Sequence, residues 1–214
     1  MSEGAQSLAG AVDERLLEEL PGLKLRYLTV ERGSGRSNRG LKQRLRILSD
    51  RMAGQQAIAV RNQPIPWAYR VFFRHIGLDP DEQRTPVEQL VLERMLKGGF
   101  ESRNLLDDAL TIAIVESGVP VRALDADRVA GAPGIRPIGP GEGLEGRPGE
   151  LPGGTLVIAD EERPLGLLFG ATAAGRGVTK ATKRTMLLSV GVSGVPDIAI
   201  EEALWLVADA LESG

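Results

Sequence analysis

Apolar positions between Ser102 and Asp127, SRNLLDDALTIAIVESGVPVRALDAD, recur almost all round a helical period. Leu105, Leu106, Ala109, Leu110, Ile112, Ala113 and Ile114 leave little room for a solvated face, so this stretch predicts a core helix. Asn104 suits its N-cap, Asp107 and Asp108 put negative charge in the first turn, and Gly118 before Val119-Pro120 stops it. A strand over Val121–Leu124 is expected to follow.

The rest of the chain is punctuated in the same way. Met1 to Ala11 is small and polar and reads as a frayed start. Asp13 to Leu20 predicts a short helix ended by Pro21-Gly22, and Leu23 to Val30 alternates like a strand. Leu41, Leu45, Leu48 and Met52 share one helical face. Gln63 to Gly77 and Pro86 to Lys97 predict two more helices, the second closed by Gly98-Gly99. Gly131 to Gly154 is too rich in glycine and proline for a helix; it holds a short strand near Ile135–Ile138 and a tight turn at 139–142. Thr155–Asp160, Leu165–Phe169 and Thr185–Val190 read as strands, the first and last buried on both faces. A final helix runs from Asp197, expected as its cap, to Leu211. Helices, then strands, then a last helix indicate an α+β fold with segregated layers.

Composition narrows the class. The 214 residues are 42% hydrophobic and 26% charged, as in an ordinary globular chain. One domain over residues 23–214 is expected, after an N-terminal extension with a short helix over 1–22. There is no cysteine, which excludes disulfides, thiol nucleophiles and thiolate metal sites. His75 is the single histidine, so neither a metal site nor a histidine-based triad is expected, and no cofactor is implied. No basic leader and no apolar run of membrane length are present; a cytoplasmic protein is expected.

The net charge of −3 excludes a globally basic nucleic-acid binder, so RNA contact requires local patches. Two segments qualify. Arg36, Arg39, Lys42 and Arg46 lie in and after the loop ERGSGRSNRG, and Arg176, Lys180, Lys183 and Arg184 lie near the end of the strand region. Either could meet a phosphate backbone, or be a solvated surface paired with acids such as those of the Asp79–Glu82 turn. The loop itself fits neither glycine-rich phosphate motif. Trp67, Tyr69, Phe72 and Phe73 are gathered in one segment, where they can form core or stack a base. The caps Asn104, Asp107 and Asp108 likewise admit a catalytic reading.

The run from Asn104 to Asp127 carries a resemblance. Asn104-Leu105-Leu106-Asp107-Asp108, Gly118-Val119-Pro120-Val121-Arg122-Ala123-Leu124-Asp125, Gly141-Glu142, Leu156 to Asp160, and Val178-Thr179 with Thr182 resemble the editing and tRNA-contacting core, the B-three/four domain, of the bacterial phenylalanyl-tRNA synthetase beta subunit. The likeness covers the second half well and the first half loosely, as in a free-standing relative of that domain. It implies a three-layer β/β/α sandwich, tRNA or aminoacyl-tRNA as partner, and an amino acid as a further possible ligand.

What the resemblance implies for the site has two departures. Arg122 stands where the family has a histidine in its editing pocket, and Gly177 stands where the family has a glutamate that reads a substrate hydroxyl. Arginine is permanently charged and cannot shuttle protons, but it can hold a carboxylate, a phosphate or an ester carbonyl, or pair with Asp125 or Asp127. On this likeness Asn104 and Arg122 are the catalytic candidates, with Pro120, Gly170, Ala171, Gly177, Val178 and Thr179 expected around the substrate. Two functions follow: a trans-acting hydrolase of misacylated aminoacyl-tRNA, or a non-catalytic module binding tRNA or an amino acid.

Overall fold

The structure is a computed structural model and describes residues 6–213. Seven strands form one mixed sheet in the order β3-β7-β2-β1-β4-β5-β6. They are β1 (Leu8–Val12), β2 (Lys24–Val30), β3 (Val121–Asp125), β4 (Gly134–Pro137), β5 (Leu156–Ala159), β6 (Pro164–Leu167) and β7 (Thr185–Gly191). The helices are α1 (Glu14–Glu19), α2 (Arg39–Arg51), α3 (Gln55–Ala59), α4 (Pro64–His75), α5 (Pro86–Lys97), α6 (Leu105–Ser117) and α7 (Asp197–Glu212). This is the α+β class. The two sheets of the expected sandwich are two antiparallel halves of this one sheet, joined where β1 pairs in parallel with β4.

β7 is an interior strand of the larger half. All seven of its residues are buried, Thr185 and Ser189 included, as its nearly continuous apolar run predicts. It pairs with β2 over its whole length and with β3 from Asp125 to Val121. α7 lies against β7 and β2, and α6 packs on α7. A side chain at Gly191 would meet Ile200 of α7, so the helix sits close on the sheet.

The caps fall largely where the sequence puts them. Asn104 caps α6: its Oδ1 accepts from the Asp107 amide at 2.9 Å, and Gly118 ends the helix. Asn38 caps α2 through the Leu41 amide. Two expectations are corrected. Leu8–Ala11, read as frayed, belong to β1; residues 1–5 lie outside the described residues. Asp197 is not the cap of α7, because Pro196 holds that position; Asp197 sits in the first turn and pairs with Lys24. The short α3 was not foreseen.

Asp108 is more than a first-turn charge. It is buried, and its carboxylate accepts from Ser37 Oγ at 2.6 Å, Ser102 Oγ at 2.6 Å and the Arg103 amide at 2.8 Å. It ties the loops before α2 and before α6 to one point. Arg70 on α4 makes a second knot, with Nη1 on the buried Glu88 and Nη2 on the exposed Asp81, both at 2.6 Å. Glu88 in turn accepts from Thr85 Oγ1 at 2.7 Å. Asp108→Ala is expected to lower the unfolding free energy in urea by about 3 kcal/mol, since it strands two hydroxyls and an amide; an unchanged midpoint would show that the knot contributes nothing.

Candidate functional site

A cleft of about 460 Å³ opens between the edge strand β3, the helices α5 and α6, and the Leu168–Gly170 segment after β6. Its walls are mostly apolar, from Leu110, Ile114, Pro120, Leu188, Val190 and Phe169. Its size is that of a small-molecule pocket. Phe169 holds one wall in place because its ring sits 5.8 Å from Tyr69, 5.9 Å from Phe72 and 5.2 Å from Phe73 on α4. Tyr69, Phe72 and Phe73 therefore form core, Tyr69 donating its hydroxyl to the Val190 carbonyl at 2.7 Å, whereas Trp67 is exposed with Arg74 over its ring. Burial pushes the Tyr69 phenol well above its ordinary value.

Arg122 projects from β3 into this region. Its Nη2 donates to the Gly170 carbonyl at 2.8 Å, while Nη1 is buried and makes no hydrogen bond among the described residues. Nη1 lies over Gly166 of β6, where a Cβ would come to 2.5 Å. β3 and β6 are the two ends of the sheet order, so this one side chain spans the gap between the edges. The pairing with Asp125 or Asp127 open to Arg122 is not made. Asp125 Oδ2 accepts from Thr182 Oγ1 at 2.7 Å, and Asp127 pairs with Arg184 at 2.9 Å. Loss of hydration pushes the Arg122 guanidinium down to about 10, still charged at neutral pH.

The other candidates divide. Pro120 and Gly170 line the cleft with Arg122. Ala171, Gly177, Val178 and Thr179 do not. The Ala171 carbonyl accepts from the Leu167 amide, and the Thr179 amide donates to Thr182 Oγ1 at 3.0 Å. Val178 packs on the main core. Asn104 also lies outside the cleft; Ser34 Oγ donates to its Oδ1 at 2.8 Å beside the capped amide. Arg84, on the cleft's rim before α5, was not anticipated; it is exposed and forms no ion pair among the described residues. Nothing in its neighbourhood of sequence distinguishes it from a solvated arginine.

The basic segments meet at a second opening of about 440 Å³, lined by Arg32, Ser34, Arg36, Lys183 and Glu31. Gly33 makes this possible. Its Cα approaches the Thr182 carbonyl so closely that a Cβ would stand 1.8 Å away, which joins the loop before α2 to the segment before β7. Arg36, Arg39, Lys42, Arg46, Lys180 and Lys183 are exposed without ion pairs among the described residues. Arg176 is engaged by Glu145 and the Arg128 carbonyl, and Arg184 by Glu31 and Asp127. The acids of the Asp79–Glu82 turn do not screen α2: Asp81 goes to Arg70, and Arg44 takes Glu116.

The remaining motif acids are structural. Glu142 forms a two-point pair with Arg136, at 2.6 and 2.8 Å, and accepts from the Gly139 amide at 2.6 Å, which makes the tight turn. Asp160 accepts from the amides of Ala130, Glu162 and Arg163, which shapes the β5–β6 connection. Among the described residues no group of three His, Asp or Glu side chains could hold a metal ion, and no helix is long and apolar enough to cross a membrane.

A family model described as the B3/4 domain matches residues 68–201, well over half of the chain, including β3, the cleft and the Gly170–Thr182 segment. The chain belongs to the B3/4 domain family. Curated relatives include phenylalanine–tRNA ligase beta subunits. That of Hahella chejuensis is 32% identical over 49% of this chain and 14% of its own length. That of Streptomyces avermitilis is 37% identical over 42% of this chain and 11% of its own. The protein from Legionella pneumophila is 30% identical over 60% and 16%. This B3/4 domain thus spans about a sixth or less of the relatives that it matches.

Gly166→Ala is expected to cost roughly 1–3 kcal/mol of stability, because the added methyl meets Arg122 Nη1 and the Ala171 carbonyl; thermal or urea unfolding reads it. The acid limb is also set. The Arg136 hydrogen bonds hold the Glu142 carboxyl below its ordinary value, and amide hydrogen bonds outweigh burial in doing the same for Asp160. A depressed folded pKa means that the unfolded chain takes up protons first. The stabilisation is therefore complete above about pH 4.5, the ordinary value for Glu142, and is lost as the pH falls through the folded value. Glu142→Gln should flatten that slope; an unaltered acid limb would exclude the carboxylate as its source.

Proposed function

We propose that this B3/4 domain is a tRNA-binding module. The edge built from the Glu31–Gly40 loop, the start of α2 and the Lys180–Lys183 segment receives RNA phosphates, and the Arg122 cleft receives a small organic ligand. The observation that carries this reading is the meeting of two basic segments, far apart in sequence, at the Gly33–Thr182 contact. The relatives named as phenylalanine–tRNA ligase beta subunits point to tRNA among RNAs. Binding is favoured over turnover because the cleft's charged residues are Arg84 and Arg122, neither of which moves a proton near neutral pH.

Hydrolysis of misacylated aminoacyl-tRNA is the second reading. It rests on Arg122 beside the Gly170 backbone, where a guanidinium can steady the oxyanion of an ester.

Fluorescence anisotropy with tRNA between 50 and 200 mM salt tests the proposal. Affinity is expected to fall steeply with salt, and the double substitution Arg36→Ala with Lys183→Ala should lower the log–log slope by about 2, one unit per lost phosphate contact. A flat salt response, or a slope unchanged by the double variant, would overturn the basic edge as the RNA site. Deacylation of charged tRNA by the wild type, lost on Arg122→Ala, would move the hydrolase reading to first place.

A further inference from the structure

The Arg122 cleft carries positive charge and no negative charge in its lining. Two arginines line it, one deep and one on the rim, and no aspartate or glutamate does. The inner guanidinium spends Nη2 on the Gly170 carbonyl and leaves Nη1 without a partner, with no carboxylate paired to it among the described residues. A desolvated cation without a counter-charge is a costly arrangement, which an anionic ligand would relieve. Apart from the Gln89 amide, whose Nε2 donates to Glu93, the rest of the lining is aliphatic or aromatic, so the ligand's body must be largely apolar.

The same lining argues against an ammonium group. A zwitterionic amino acid brings a positive charge that needs an acid or several free carbonyls. Here the Gly170 carbonyl is already taken by Arg122, and both charged side chains would repel it.

We infer that the cleft binds a free apolar monocarboxylate lacking an α-ammonium group, its carboxylate held by Arg122 and its body against Phe169, Leu110 and Ile114. A carboxylate supplies the counter-charge that the guanidinium lacks, and the rim Arg84 adds attraction at the mouth. This rests on the reading of the cleft as a ligand pocket and not on the RNA edge.

Calorimetric titration of the whole protein with three probes tests it: 3-phenylpropionate, its neutral amide 3-phenylpropionamide, and phenylalanine. The acid is expected to bind about ten-fold or more tightly than the amide, as for a hydrogen bond to a charged group. Phenylalanine should also bind more weakly than the acid. Arg122→Gln should abolish the preference for acid over amide while leaving amide binding in place, and the wild-type comparison stands even if that variant fails to fold. Equal binding of acid and amide would overturn the carboxylate assignment and leave the pocket standing. Tighter binding of phenylalanine would overturn the exclusion of the ammonium group. A preference that survives in Arg122→Gln would remove Arg122 as its reader. No binding of any probe would overturn both the pocket and the inference.

Discussion

The two edge strands of the seven-stranded sheet face each other across a single guanidinium, and the site's geometry depends on that approach. β3 and β6 end the strand order, yet Arg122 of β3 lies over Gly166 of β6 and donates to Gly170 just beyond it. Glycine at 166 is the condition for this, since any side chain there would displace Nη1. An exposed sheet edge invites pairing with another chain. Here one edge residue is covered by a charged side chain from the opposite edge, and Gly166 is bridged by Thr172. The cleft is the space that remains beside this contact, so its position follows from the curl of the sheet.

The rigidity of the cleft comes from elsewhere. α4 delivers Tyr69, Phe72 and Phe73 to one ring, Phe169, and the next residue supplies the carbonyl that Arg122 uses. Aromatic pairs of this kind add about 0.5–1.5 kcal/mol each beyond area burial. The Leu168–Gly170 segment is irregular backbone, but it is pinned at Phe169 and held by the Leu168 amide on the Leu156 carbonyl. A site on a loop is thereby given the positional definition of the core.

Much of this was legible in the sequence, and what was missed has physical reasons. The interior of α6, its Asn104 cap and its Gly118 stop follow from local rules, which the fold does not override. β1 was hidden because LAGAV is short, small and mostly exposed; what makes it a strand is its place between β2 and β4, a long-range pairing with no local signal. Asp197 follows proline and looks like a cap, but its charge is directed to Lys24 on a strand 173 positions away. The identity of Arg122 as the residue of interest came from its position in a family pattern. Its environment did not, because Gly166, Gly170 and Phe169 are brought to it only by the closure of the sheet. Asp108 was read as a helix charge, since nothing local shows that Ser37 would fold back on it.

The lone state of Arg122 is a consequence of where the nearby acids go. Asp125 sits three residues along the same strand, but its two oxygens are held by the Thr182 hydroxyl and the Asp127 amide. Asp127 is drawn to Arg184, which also takes Glu31. Gly177, where the resemblance would put a glutamate, lies outside the lining, so an acid there would not by position alone neutralise the cleft. The acids of the neighbourhood therefore serve the contact between the Gly33 loop and the segment before β7, the same contact that assembles the basic edge. Closing that edge and leaving the cleft without a carboxylate are two results of one distribution of charge: each acid spent outside the cleft is one that cannot neutralise the buried guanidinium within it.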